Sequence, residues 1–370
     1  MADAVIVDFL RSPFQPARKG TLAATRPDDL AAAVVKALVA RAGIDPAAIE
    51  DLLLGCAFPE GEQGLNLARL VVLLAGLPQA VGGVTINRFC GSSMQAIHSA
   101  AGAIAMGAGE VFICAGVESM SRVPMMGFNP LPNPKLHAEL PGAYIGMGET
   151  AENVAKRFNV SRADQESFAV ASHRKATAAD FSAEIVPIGE TTRDGCIRAD
   201  TTTAILAALK PAFLASGTVT AGTASPLTDG AAAVLVCSEA YAQANGLKPL
   251  ARIKSAAICG CDPDIMGMGP VGASRKALAR AGLTIADIGI VEINEAFASQ
   301  ALACLRELGI DEAIVNLDGG AIALGHPLGA SGARITGKAA ALLRREGKRY
   351  ALATQCIGGG QGIATVLEAC

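Results

Sequence analysis

The sequence predicts a layered α/β protein made of two similar halves, each with its own sheet, and an extra segment inserted between them. Composition is the first of three observations behind this. Of 370 residues 51% are hydrophobic and only 18% charged, aromatics are 4% with no Trp, and there are 41 Gly. Much of the chain must be buried, and its side chains are small enough for helices and sheets to approach closely. The second is alternation, because strand-like runs at residues 4–8, 51–54 and 110–115 are interleaved with Ala-rich helical stretches at 29–42 and 92–106. The third is a repeat. Residues 40–55 match residues 279–294, both opening on Ala-Arg-Ala-Gly and both reading as a Gly-capped helix end, a short link and a strand.

A second correspondence follows each copy. After Asn87 come a Gly/Ser turn, an Ala-rich helix and the strand at 111–115, and after Asn316 the same series leads to a strand at 350–354. Two sheets related in this way are expected to stack face to face, with helices between and outside. Residues 117–227 fit neither half. They contain a Pro/Gly/Met-rich stretch (124–148), a polar helical stretch (150–179) and a Thr/Asp-rich loop (191–203), and they read as an insertion forming a substrate lid. The expected domains are therefore 1–116 completed by 228–248, the insertion 117–227, and 249–370.

Net charge is −3, with no broad basic surface for nucleic acid. The ten Cys are scattered without C-x-x-C spacing, so no metal site is expected, and most read as small buried hydrophobes in a reducing compartment. The first residues have neither the basic n-region nor the apolar h-region of a signal peptide, and no apolar run reaches the length of a membrane span. A cytoplasmic protein is expected.

Four motifs carry chemistry. Cys90, in Asn87-Arg-Phe-Cys90-Gly-Ser, sits between an apolar strand and an Ala-rich helix. A thiol at a helix start is expected to ionise easily, in favourable cases with a pKa of roughly 3.5–7.5. The alternative is a structural Cys. His326 lies in the glycine-dense Gly319-Gly-Ala-Ile-Ala-Leu-Gly325-His326-Pro327-Leu-Gly329-Ala-Ser-Gly332, where a fixed backbone suits an oriented general base, or simply a turn. Cys356 meets the run Gly358-Gly-Gly360, whose backbone N–H groups could hold an oxyanion. A nucleotide-phosphate loop is the weaker reading of this run, because no G-x-G-x-x-G follows a first strand and there is no Walker Lys. Asn294 opens Asn294-Glu-Ala-Phe297 at a strand's C-terminal end, where α/β sheets place ligands, or caps the next helix.

Together these motifs resemble the thiolase family. The resemblance extends over essentially the whole chain, including Arg11-Ser-Pro-Phe14, Met147-Gly-x-Thr150-Ala-Glu152 and Thr220-Ala-Gly-x-Ala-Ser225. The forms around Cys90 and His326 look most like bacterial fatty-acid-oxidation 3-ketoacyl-CoA thiolases. The resemblance implies a five-layer αβαβα fold and an acyltransferase that uses coenzyme A as a substrate, with no resident cofactor. It assigns Cys90 as nucleophile, His326 as its base, Cys356 as acid/base at the α-carbon, and Asn294 as holder of a water. The N–H groups of Cys90 and Gly358 become an oxyanion hole. Ser225, Ala221, Leu227, Met147, Phe297 and Arg198 fall at positions contacting coenzyme A or the acyl group. It also implies a homodimer or homotetramer, in some members beside a hydratase/dehydrogenase subunit.

The chain departs from the family in two places. Gly146 replaces the His that short-chain biosynthetic members carry, and the loop Thr191 to Arg198 is short. An acetyl-CoA acetyltransferase making acetoacetyl-CoA is one alternative. A ketoacyl synthase, which would have a second His or an Asn in place of Cys356, a silent scaffold subunit and a generic nucleotide-binding α/β protein are the others.

Overall fold

The computed structural model describes residues 2–370. Its strands in chain order are β1 (Ala4–Arg11), β2 (Gln15–Pro16), β3 (Asp51–Gly55), β4 (Gly82–Ile86), β5 (Val111–Ser119), β6 (Thr228–Ser238), β7 (Ala251–Gly260), β8 (Ile290–Ile293), β9 (Tyr350–Ile357) and β10 (Gln361–Ala369). The helices are α1 (Pro27–Ala42), α2 (Leu67–Leu74), α3 (Ser92–Met106), α4 (Pro134–Glu139), α5 (Met147–Arg157), α6 (Arg162–Ala178), α7 (Thr203–Ala207), α8 (Glu239–Ala244), α9 (Gly269–Ala281), α10 (Ala298–Leu308), α11 (Ala321–Leu324) and α12 (Leu328–Glu346).

The repeat is real at the level of topology. In the first half the strand order is β4-β3-β5-β6-β1. There β3 runs parallel to β4 and β5, while β6 is antiparallel to β5 and β1. The second half repeats this, with β8 parallel to β9 and β10 antiparallel to β9 and β7. A parallel bridge from Val291 to Val315 stands where β4 stands in the first half. The matched helix ends close on Gly43 and Gly282, at φ 66° and 68°, the left-handed conformation that glycine adopts without strain.

Side-chain alternation builds the layers. Leu52 and Leu54 of β3 join α1 and α2 in one core, whereas Leu53 faces inward with Met94 and Ile97 of α3 and Ala333 and Ile335 of α12. On the other side Ala351 and Ala353 of β9 reach the same central core, and Leu352 turns outward to α9 and α10. The order is thus helices, sheet, α3 with α12, sheet, helices, the expected five layers. The stacked sheets are not separate. They share hydrogen bonds at Val5–Arg252 and Ile6–Ala251, where the edge strands β1 and β7 meet, so one strand path runs through both halves.

Two details of the insertion differ from expectation. β5 continues to Ser119, because β6 offers partners as far as Ser119–Asp229, so the chain leaves the sheet three residues after Gly116. The polar stretch 150–179 is two helices, since Asn159 (φ 51°) turns the chain and Ser161 with Asp164 forms a capping box that starts α6. Buried charges fasten the insertion to both halves. The Arg11 guanidinium of β1 binds Glu184 and Asp194 at 2.7 Å, and Lys338 of α12 reaches Glu184 at 2.7 Å.

Candidate active site

Cys90 sits in the 3-10 turn Phe89–Gly91 that links β4 to α3. The turn is tightly held. Asn87 Oδ1 accepts from the Phe89 N–H (2.8 Å), Ser92 Oγ accepts from the Arg88 N–H (2.9 Å), and Phe89 takes φ 44°. From the second half, Gln355 Nε2 donates to the Cys90 carbonyl, and the Arg88 guanidinium donates to Gln361 Oε1 (2.8 Å). Cys90 is thus positioned by both halves.

The backbone N–H groups of Gly358 and of Cys90 itself are directed at the Cys90 sulfur and favour its thiolate. Burial outweighs them and pushes the thiol up to about 11. This direction runs against the expectation of an easily ionised thiol. The helix-start environment is present, but the sulfur lies deep enough that desolvation of the anion dominates.

His326 follows Gly325, whose φ of 100° and close approach to Thr228 exclude a side chain. The His326 N–H donates to Thr228 Oγ1 at 3.0 Å. Ser331 Oγ donates to the Pro327 carbonyl (3.0 Å), so its lone pairs face His326 Nδ1 and accept the proton there. Nε2 is left with its lone pair, 3.2 Å from the Asn294 amide nitrogen. Burial, with Arg334 second, lowers the imidazole to about 3, so this nitrogen is a neutral base. Asn294 is buried, and its Oδ1 has no protein hydrogen-bond partner. Cys356 lies one residue inside the end of β9, fully buried, and burial followed by the neighbouring Cys90 pushes its thiol well up.

Cys90, His326 and Cys356 line one cavity of about 380 Å³. Its walls are mostly apolar, with Met120, Met125, Met147, Met266, Phe213 and Phe297, and Ser225 and Leu227 also border it. Phe213 meets Phe297 edge to face at 5.9 Å. A second cavity of about 300 Å³ shares Ala224 and Pro226 with the first and holds Ala221 and Arg198. The wall between them is stiff, because the Ser225 N–H donates to the Ala296 carbonyl (3.0 Å) and the Ala298 N–H to the Thr223 carbonyl (2.8 Å). Of the residues expected at a ligand, four therefore meet at the reacting cavity and two lie beyond that wall. Gly358 touches Cys90 and faces Met147, and Asn294 reaches the cavity through His326.

Sequence reasoning missed Ser331, Met120, Met125, Met266, Phe213 and Glu118. Ser331 stands inside a motif already singled out. Glu118 could have been found as a lone acid closing the apolar run of β5. The remainder are apolar residues distant in the chain, with no local signal.

Chemically the arrangement offers a sulfur nucleophile, a neutral base, two N–H donors, a second thiol and a mostly apolar pocket, the parts needed for acyl transfer through a thioester. Comparison with known proteins agrees. A model of the thiolase N-terminal domain matches residues 4–240, and one of the thiolase C-terminal domain matches residues 247–369. The 3-ketoacyl-CoA thiolase of Bacillus subtilis is 48% identical over 391 positions, covering all of both chains. That of Pseudoalteromonas translucida is 49% identical over 386 positions, covering all of this chain and 99% of the relative. One from Escherichia coli O139:H28 is 48% identical over 389 positions, again covering both chains fully. With two matching domain models, full-length identity near one half and a cysteine–histidine–cysteine cavity between its two halves, this chain belongs to the thiolase family.

Proposed function

We propose that the chain is a 3-ketoacyl-CoA thiolase, an acyltransferase that cleaves 3-ketoacyl-CoA with coenzyme A to acetyl-CoA and a shortened acyl-CoA. The observation that carries this is the placement of Cys90, His326 and Cys356 on one apolar cavity. Cys90 Sγ attacks the 3-keto carbon as His326 Nε2 takes its proton. The oxyanion is received by the N–H groups of Cys90 and Gly358, each such donor being worth roughly 10²–10³ in rate. The C2–C3 bond then breaks, and Cys356 protonates the departing α-carbon. Coenzyme A attacks the Cys90 thioester, its thiol proton passing to the Cys356 sulfur while the leaving Cys90 sulfur takes back the proton held by His326, and the steps run in reverse for condensation. Asn294, with an unused buried acceptor beside His326, suits the holding of a water at the other thioester oxygen.

Coenzyme A enters as substrate, and its arm would follow Ser225 and Leu227 toward Ala221 and Arg198 of the insertion. A homodimer is supported by β4, a sheet-edge strand with Val84 40% exposed, since such an edge invites pairing with a second copy. A tetramer and a complex with a hydratase/dehydrogenase subunit rest on the resemblance. No helix among the described residues is long and apolar enough to cross a membrane.

Chain length separates the degradative reading from the acetyl-CoA acetyltransferase. A Cβ at Gly146 would meet only the Glu149 side chain, at 3.6 Å, so the cavity is open where short-chain members carry His. Thiolysis rates measured from C4 to C16 should show kcat/KM at C8 and beyond at least equal to that at C4, and Gly146→His should depress the longer chains selectively. Activity confined to C4 would sink the degradative reading.

A further inference from the structure

The most heavily bonded carboxylate beside the site belongs to Glu118, which the chemistry above does not use. It is 1% exposed. Its Oε2 accepts from the N–H groups of Ala57 (2.8 Å) and Gly329 (2.9 Å), and its Oε1 from the Phe58 N–H (3.2 Å), Gln63 Nε2 (2.8 Å) and, more distantly, the Cys56 thiol (3.7 Å). Every partner is a donor, so only the ionised form satisfies them all. These donors come from three separate places. Cys56, Ala57 and Phe58 follow β3, Gln63 belongs to the next turn, and Gly329 opens α12 three residues after His326.

The contact with Gly329 joins the two halves. A Cβ there would collide with the Val117 carbonyl at 2.4 Å and the Gly55 carbonyl at 2.7 Å, so the start of α12 is seated directly on the ends of β3 and β5. A carboxylate at that helix start also meets the positive end of the helix dipole. Ala57, Phe58, Met120 and Leu328 form one small apolar cluster with Cys90. The groups that Glu118 gathers are thus the wall beside the nucleophile and the root of the loop carrying its base.

We propose that Glu118 is a positioning residue of the acyl-transfer site, its carboxylate fixing the His326 loop of the second half against the Cys90 half. This rests on the function proposed above. A small displacement of a catalytic group can cost on the order of 10² in rate. The charge of Glu118 also opposes ionisation of the Cys90 sulfur, so its removal acts on two readouts in opposite senses.

The test uses the full-length protein with Glu118→Gln, which keeps shape and loses charge, and Glu118→Asp, which keeps charge and withdraws the carboxylate. Wild-type turnover of a 3-ketoacyl-CoA and acetylation of Cys90 by acetyl-CoA are measured first. Their absence would refute the proposed function itself, before Glu118 is at issue. Given both, each folded variant should lose on the order of 10² in kcat with KM within about twofold. Alkylation of Cys90 by iodoacetamide at neutral pH should hold or quicken in Glu118→Gln and stay unchanged in Glu118→Asp. A wild-type kcat in Glu118→Gln overturns the proposal. So does a parallel fall of alkylation and turnover, which would mark general loosening. Failure of both variants to fold would make Glu118 a residue of the core, and the proposal would fall with it.

Discussion

The ionisation of Cys90 offers the sharpest test of the site. With its thiol at about 11, roughly one sulfur in 10⁴ is ionised at pH 7. His326, lowered to about 3 by burial, does not hold the proton in the resting site. The free enzyme therefore carries a neutral thiol and a neutral imidazole. The proton moves only as the acyl oxyanion forms and is met by the N–H groups of Cys90 and Gly358. Two reagents separate these states. Iodoacetamide needs a thiolate formed beforehand, so Cys90 alkylation, followed by peptide mass mapping, should rise about tenfold per pH unit from pH 6 to 9 without a plateau. Acetylation by acetyl-CoA draws on His326 as base, which is unprotonated throughout that range, and should stay flat between about pH 5 and 9. His326→Ala should cut acetylation by about 10²–10⁴ and leave the alkylation slope in place. An alkylation plateau near pH 7, as for a preformed thiolate, would refute the reasoning.

Two further outcomes follow from the same structure. Cys356→Ser should still accept an acetyl group on Cys90 while losing at least about 10² in carbon–carbon bond turnover, whereas Cys90→Ser should lose both. Single-turnover acetylation decides this, and equal loss in the two variants would contradict the separate roles. His98, half-buried, and His326, buried, are both neutral, each lowered to about 3 mainly by desolvation, while an unfolded His titrates near 6.5. Between about pH 4 and 6 the unfolded chain therefore holds about two more protons at these two sites than the folded one, so the pair makes stability fall with falling pH, by on the order of 3 kcal/mol per unit, against the opposite pull of Glu292, which burial raises to about 7. Urea midpoints at pH 5 and 7 measure it. His98→Gln, which can keep a hydrogen bond to Thr365, should remove about half of that slope, and an unchanged slope would exclude His98 as a source.

The features legible in the chain alone are local. Alternating apolar runs and Gly-ended helices marked the elements of both halves, and the repeated Ala-Arg-Ala-Gly segments marked the duplication, because each depends on neighbours within a few turns. The motifs around Cys90, Asn294, His326 and Cys356 were legible because a special backbone needs Gly, Pro or a small residue nearby in the chain, as Gly325 at φ 100° illustrates. How these groups behave follows from the packing of distant segments around them. Cys90 has the local surroundings of a reactive thiolate, yet burial between the halves makes it a thiol. The proton on His326 is assigned by Ser331, Pro327 and Asn294 together, and Asn294 lies 32 residues away. Glu118 gathers donors from as far as Gly329, 211 residues along the chain. Desolvation and long-range hydrogen bonds depend on which distant segments pack together, and only the tertiary structure fixes that packing.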